Sequence, residues 1–327
     1  KLIETLAGER GQYVALSYCW GNHLAYTTTS DNLERHKKTI SFSDIPRTLQ
    51  DAMFLVRSLG LRYLWIDCLC IVQNDKADWE HEAARMADVY SNSYLTIAAT
   101  RASHCDEGFL HLRRVKDRES IRFEDDEGTF ELYFIKERKV RGKARNQQNE
   151  PLQRRGWTFQ ERLLASRILH FASQQTIWEC PHMRENEGGF FRKPEEDSSL
   201  DKIAEFLLQD VFADANALGT NPWTYMINMY TSRTLKYPSD FFPALSGVLN
   251  TLQKSTGDFC YAGLWKTHFL EGLLWVVEDP DRSWRSSPNG LIPPKKPQKL
   301  SVWRAPSWSF ASIEGTVSYE SQFYPHG

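Results

Sequence analysis

A short apolar run, Tyr13-Val-Ala-Leu-Ser17-Tyr18, ends abruptly at Cys19-Trp20-Gly21-Asn22, which predicts a strand closed by a sharp turn. Downstream, Ser43-Asp44-Ile45-Pro46 offers a cap and an early proline. Leu49, Met53, Val56 and Leu59 then recur at helical spacing, with Gly60 as the stop, so an amphipathic helix is expected. Tyr63 to Cys68 reads as a buried strand, and the polar Gln73-Asn74-Asp75 ends the connection that follows it. Helical period returns from Asp78 to Tyr90, and Tyr94 to Ala99 makes another strand. Strands alternating with helices argue for an α/β fold, a mostly parallel sheet with helices on both faces.

Past Thr100 the pattern loosens. The charged stretch from Arg113 to Glu127 reads as loop, Thr129–Ile135 as a strand, and Lys136 to Arg145 as a basic loop. A short helix is expected over Arg155–Leu164, followed by a hairpin of Arg167–Phe171 and Thr176–Cys180. The Gly-Gly, proline and acidic residues of Gly188–Ser199 suggest a linker, and Leu200–Tyr230 is helical in period. A proline-rich connection then leads to a terminal strand over Val302–Phe310. The expected division is 1–185, with a basic insertion near 113–150, and a helical and strand extension over 186–327.

Composition narrows the function. With 327 residues, 41% of them hydrophobic, the chain can bury a large core. A net charge of −2 gives no global field for nucleic acid or an anionic membrane, and the basic loop lacks interleaved aromatics, so both partners are disfavoured. No apolar run approaches the roughly 20 residues of a membrane span. Six cysteines without framework spacing read as reduced thiols, which points to a cytoplasmic setting. Cys68-Leu-Cys70, read as alternate residues of a strand, lacks a second close pair, so no metal is expected. Phosphate-loop, dinucleotide and nucleophile-elbow motifs are missing, and Arg85 stands where a zinc protease needs its second histidine.

Three blocks carry a family resemblance: Leu16-Ser-Tyr-Cys-Trp-Gly21, Leu64-Trp-Ile-Asp-Cys-Leu-Cys-Ile-Val-Gln73 and Arg155-Gly-Trp-Thr-Phe-Gln-Glu161. In order and separation they resemble the fungal heterokaryon-incompatibility (HET) family. Ile45-Pro-Arg-Thr-Leu, Met86 to Asn92 and Ala305-Pro-Ser-Trp-Ser-Phe310 fit as well. The resemblance covers nearly the whole chain, most strongly to about residue 182. It implies a self/non-self recognition effector that triggers programmed cell death and associates with itself and with other incompatibility or sensor proteins. The family's first half is similar to TIR domains. That implies a flavodoxin-like sheet and cleavage of NAD+ as substrate, with no cofactor required.

Site residues follow from this similarity and from position. Trp79 and Glu82 have the Trp-x-x-Glu spacing of the TIR pattern, and on a helical wheel Glu82 lies about 60° from Trp79, at the border of the buried stripe. A carboxylate there could stabilise an oxocarbenium-like ribose. Glu161, the acid of the third block, is its rival. Ser17, Tyr18 and Trp20 fall beyond the carboxyl end of the first strand and Asp67 near the end of the next, where open α/β sheets bind ligands. In the functional reading an aromatic stacks on a base, Asp67 accepts from ribose hydroxyls and Arg155 forks to phosphate. In the plainer reading the rings fill core, Asp67 caps a turn, Arg155 pairs with an acid, and Glu82 pairs with Arg85 or Lys76. A recruitment module without catalysis and a nucleotide sensor are the alternatives in function.

Overall fold

The first strand sets the architecture, because its side chains serve two different helix layers. A computed structural model describes residues 1–6, 8–21, 26–113, 118–125, 128–135, 150–180, 183–189, 191–192, 222–278 and 297–319. Strand β1 (Tyr13–Ser17) is followed by α1 (Leu33–Lys38) and α2 (Arg47–Ser58). Next come β2 (Tyr63–Trp65), α3 (Asp67–Cys70), α4 (Lys76–Ser91) and β3 (Leu95–Ala98). Val14 and Leu16 pack with Leu49, Ala52 and Val56 of α2 on one face. Ala15, on the other, meets Met86 and Tyr90 of α4. This period-two division puts helices on both sides of the sheet and leaves β1 buried throughout its centre.

Beyond β3 lie the hairpin strands β4 (Arg118–Asp125) and β5 (Gly128–Ile135), then α5 (Thr158–Leu164). Strands β6 (Ile168–Phe171), β7 (Thr176–Cys180), β8 (Met183–Asn186) and β9 (Phe191–Arg192) complete the main sheet. Its order is β2-β1-β3-β6-β7-β8-β9. The β1–β2, β1–β3 and β3–β6 pairings are parallel, whereas β6 to β9 form an antiparallel meander. The fold is therefore α/β, with a parallel half that carries the helices and a hairpin half that extends one edge.

Three expectations need correction. Asp67–Cys70 is a helical turn and not the end of a strand, so Cys68 and Cys70 are not alternate strand residues. Thr28 satisfies that turn: its amide donates to the Cys68 carbonyl at 2.9 Å and its hydroxyl to that of Leu69 at 2.7 Å. The charged stretch contains β4, which pairs with β5 along its full length, because a two-stranded ribbon tolerates charge wherever its backbone is paired. Val302–Phe310 forms turns, with the Ser309 amide bonded to the Pro306 carbonyl and the Trp308 carbonyl taken by the Trp275 indole. The short strands lie on either side of it, at Gln298–Lys299, Ile313–Glu314 and Val317–Tyr319.

A second core forms beyond the main sheet. Helices α6 (Pro222–Thr231) and α7 (Pro243–Thr256) enclose Trp223, Ile227, Leu245 and Val248, and they take in Phe159 and Leu163 from α5. Helix α5 thus belongs to this second core, while its Glu161 is hydrogen-bonded to Ser17 of the main sheet. The basic loop 136–145, most of the expected linker, the stretch 200–221 and the prolines from 288 to 294 lie outside the described residues. Among the described residues, no helix is long and apolar enough to cross a membrane.

Candidate functional site

The parallel strands run in the order β2-β1-β3-β6, so successive connections leave β1 in opposite directions. Their carboxyl ends open a crevice at the β1/β3 switch point, the usual ligand position in open α/β sheets. Ser17 closes β1 there, with its carbonyl accepting from the Ala99 amide at 2.9 Å. Tyr18, Cys19 and Trp20 continue beyond it.

Four of the expected residues converge at this edge. The Ser17 hydroxyl donates to Glu161 Oε2 at 2.5 Å, joining the first block to the third across the face of the sheet. The Arg155 guanidinium donates to the Tyr18 carbonyl. Burial pushes the Glu161 carboxyl up to about 7, against the opposing pull of Arg155 and the Ser17 hydrogen bond. Tyr90 was read from the sequence only as a member of the apolar stripe of α4. Its hydroxyl donates to the Leu16 carbonyl at 3.1 Å and also lies within hydrogen-bond reach of Glu161. A buried phenol requires a polar partner, and this was the available sign that the stripe ends in a polar contact.

Asp67 joins from the next strand. Its Oδ2 accepts from Trp20 Nε1 at 2.7 Å and its Oδ1 from the Cys68 amide at 2.7 Å, so it takes up an amide of the α3 turn and anchors the indole at once. Burial raises its pKa, while Arg155 pulls the other way. Tyr18 is buried in the core and Trp20 only partly so. Of the two rings, Trp20 is the one available to a ligand.

The reach of Trp20 depends on Gly21. Gly21 has φ +82°, and a β-carbon there would sit 2.5 Å from His104 Cβ. Gly21→Ala is expected to lower stability by about 1–3 kcal/mol, since it adds a left-handed backbone penalty to a direct clash. Chemical denaturation checks this; a loss below about 0.5 kcal/mol would show that the turn yields freely.

Helix α4 begins where the Asp75 carboxylate accepts from the amides of Ala77 and Asp78. Trp79 on this helix meets the Trp157 ring edge-on, with centroids 6.3 Å apart. One turn further on, Glu82 is 17% exposed at its side chain and pairs with Arg85 Nη1 at 3.4 Å. Burial pushes the Cys70 thiol of α3 up to about 12, and the charges of Asp67 and Glu82 act in the same direction. Glu82 has no hydrogen bond into the Ser17–Glu161–Asp67 cluster among the described contacts. Among the described residues no His, Cys, Asp and Glu side chains group closely enough to hold a metal ion. All six cysteines are free thiols, and burial raises the pKa of Cys19, Cys68 and Cys70. Such thiols are poor nucleophiles at neutral pH.

No curated protein and no solved structure matches the chain. A family model does, the one described as heterokaryon incompatibility protein (HET), over residues 13–161. The match starts on the first residue of β1 and stops at Glu161, so it takes in every residue of the cluster above. The segment from Tyr13 to Glu161 is therefore similar to the HET domain of heterokaryon-incompatibility proteins.

Proposed function

We propose that this HET-like domain is a cell-death effector of self/non-self recognition that cleaves NAD+ at the carboxyl edge of β1 and β2 once the chain has self-associated. The supporting observation is the convergence of Ser17, Asp67, Arg155 and Glu161, from three separate segments, at the switch point of the parallel strands. In this reading the bond between nicotinamide N1 and ribose C1′ breaks, and nicotinamide leaves with the electron pair. Water oxygen bonds to C1′ and releases its proton, giving ADP-ribose. The protein's task is to stabilise positive charge on the ribose and hold its hydroxyls.

Exposure supports a division of roles. Glu161 is 4% exposed and engaged by protein hydroxyls, which suits a group that holds β1 and α5 together beside the site. Glu82 keeps partial solvent contact on α4, which suits the carboxylate that meets the ribose once its loose pair with Arg85 opens. Trp20 offers a ring edge to a base, and Asp67 lies between that ring and the sugar. Trp79 supports Glu82 from the same helix. The setting is cytoplasmic in this reading, in keeping with six free thiols, and the partners are NAD+, a second copy and sensor or incompatibility proteins.

The test is nicotinamide release from NAD+ by the crowded or cross-linked chain. Glu82→Gln is expected to lower release by about a hundredfold or more while leaving the melting transition in place. No release from the assembled wild-type chain would select the non-enzymatic recruitment module. A ligand-dependent rise in melting temperature without product would select the nucleotide sensor.

A further inference from the structure

The segment that carries Arg155, Trp157 and Glu161 is gripped along its length by residues outside the HET match. Arg233, at the end of α6, is 3% exposed. Its Nη1 donates to the Arg155 carbonyl at 3.2 Å and to Thr158 Oγ1 at 3.1 Å, and its Nη2 to Gln153 Oε1 at 3.2 Å. The same guanidinium lies over the Phe159 ring, 5.1 Å from its centroid. Thr234 next to it pairs with the segment as a short parallel bridge, its amide 2.6 Å from the Arg154 carbonyl and its carbonyl 2.8 Å from the Gly156 amide.

A second grip lies one turn along. Asp240 Oδ2 accepts from Trp157 Nε1 at 3.1 Å, which fixes the indole that meets Trp79 edge-on. Gly247 of α7 then donates its amide to Gln160 Oε1 at 3.2 Å, and a β-carbon there would lie 2.7 Å from Ala87 of α4. Helices α4, α5 and α7 are thereby locked at one point.

We propose that Arg233 and Asp240 are positioning residues of the candidate site: they hold the Arg155–Glu161 segment, and through Trp157 the Trp79 end of α4, so that a displacement of the C-terminal extension is transmitted to the site. The physical reason is the weakness of the segment itself. Helix α5 spans seven residues, too short to persist without tertiary contacts, so its placement is decided by whatever binds its flanks. Two charged side chains fixed by directional bonds define that placement more sharply than apolar packing does. The catalytic part of the proposal rests on the NAD+ reading above; the positional part does not.

The test uses the full chain with indole-15N-labelled tryptophan, the Trp157 and Trp79 signals being assigned with Trp157→Phe and Trp79→Phe. Asp240→Leu is expected to shift both signals while unfolding stays cooperative. It should also lower kcat for nicotinamide release about tenfold with KM nearly unchanged. Asp240→Asn keeps an acceptor at Oδ1 and should restore signals and kcat together. A Trp79 signal that stays in place in Asp240→Leu, or one that moves with kcat unchanged, overturns the proposal. Should Asp240→Leu fail to fold, Arg233→Lys takes its place with the same readout, because lysine cannot span Gln153 and Arg155 together. If the assembled wild-type chain releases no nicotinamide, the NAD+ reading fails, and the indole signals alone decide the clamp.

Discussion

Glu161→Gln is expected to abolish a fall in stability of about 3 kcal/mol that the wild-type chain undergoes as pH rises from 4.5 to beyond 7. The folded carboxyl is raised from an ordinary 4.5 to about 7, so between these values the native chain holds a proton that the unfolded chain has lost. Stability from this group is therefore full below 4.5 and declines as pH climbs through 7. His36 and His170 act in the opposite sense. Burial lowers both, so the unfolded chain binds their protons first and stability grows with pH up to about 6.5. The two trends overlap in the wild type, and only the difference between it and Glu161→Gln isolates the carboxyl. Glutamine keeps an acceptor for the Ser17 hydroxyl, so the variant should fold. Urea denaturation from pH 4.5 to 8 gives the result: parallel curves for the two proteins would show that Glu161 is ionised throughout the range.

This titration bears on the site because Glu161 shares its surroundings with Asp67 and Arg155. A proton lost near pH 7 places a negative charge beside Asp67, whose own pKa burial raises and whose carboxyl is held by Trp20. The crevice is thus most acidic above neutrality, where it would best stabilise a cationic ribose. Turnover that rises with pH through 7 in the wild type, and not in Glu161→Gln, would connect the buried carboxyl with the chemistry proposed for Glu82.

The alternating half of the fold was legible because its elements are set locally. The strand at Tyr13, the helix after Pro46 and the hairpin at Ala172–Gln175 each carry their own period and their own stop. Strand β4 was not, since Arg118–Asp125 looks like a solvated charge run until β5 supplies its partner. The α3 turn was missed for a related reason: Thr28, some 40 residues upstream, satisfies it. At the site, the three blocks brought Ser17, Asp67, Arg155 and Glu161 into view; Ser17 ends β1 and Asp67 opens α3, whereas Glu161 lies within α5. Tyr90, Arg233 and Asp240 act through hydrogen bonds formed across the fold, and such bonds leave no period in the chain.

The largest loss of stability is expected at Arg162, the neighbour of Glu161. Arg162 Nε donates to Glu179 Oε1 at 3.1 Å and Nη2 to Oε2 at 2.7 Å, in a bidentate pair that joins α5 to β7. His170 Nε2 lies 3.0 Å from the same Oε2, and its Nδ1 is 3.3 Å from the Thr100 hydroxyl. Burial alone would push Glu179 up, but Arg162 and His170 hold it well below the usual carboxylate range. Arg162→Met leaves that charge buried with its main partner gone, at a cost of about 3–5 kcal/mol. Replacing both residues, as Arg162→Met with Glu179→Leu, removes the stranded charge with its counter-ion and should recover much of the loss, because an apolar pair of similar volume avoids desolvation altogether. A double-mutant cycle in guanidinium chloride measures the coupling. Single and double variants equally unstable would mean that α5 is held by its apolar contacts, Phe159 and Leu163, and not by the ion pair. The cycle thus asks whether Glu161 is presented to the crevice by a charged anchor one residue away.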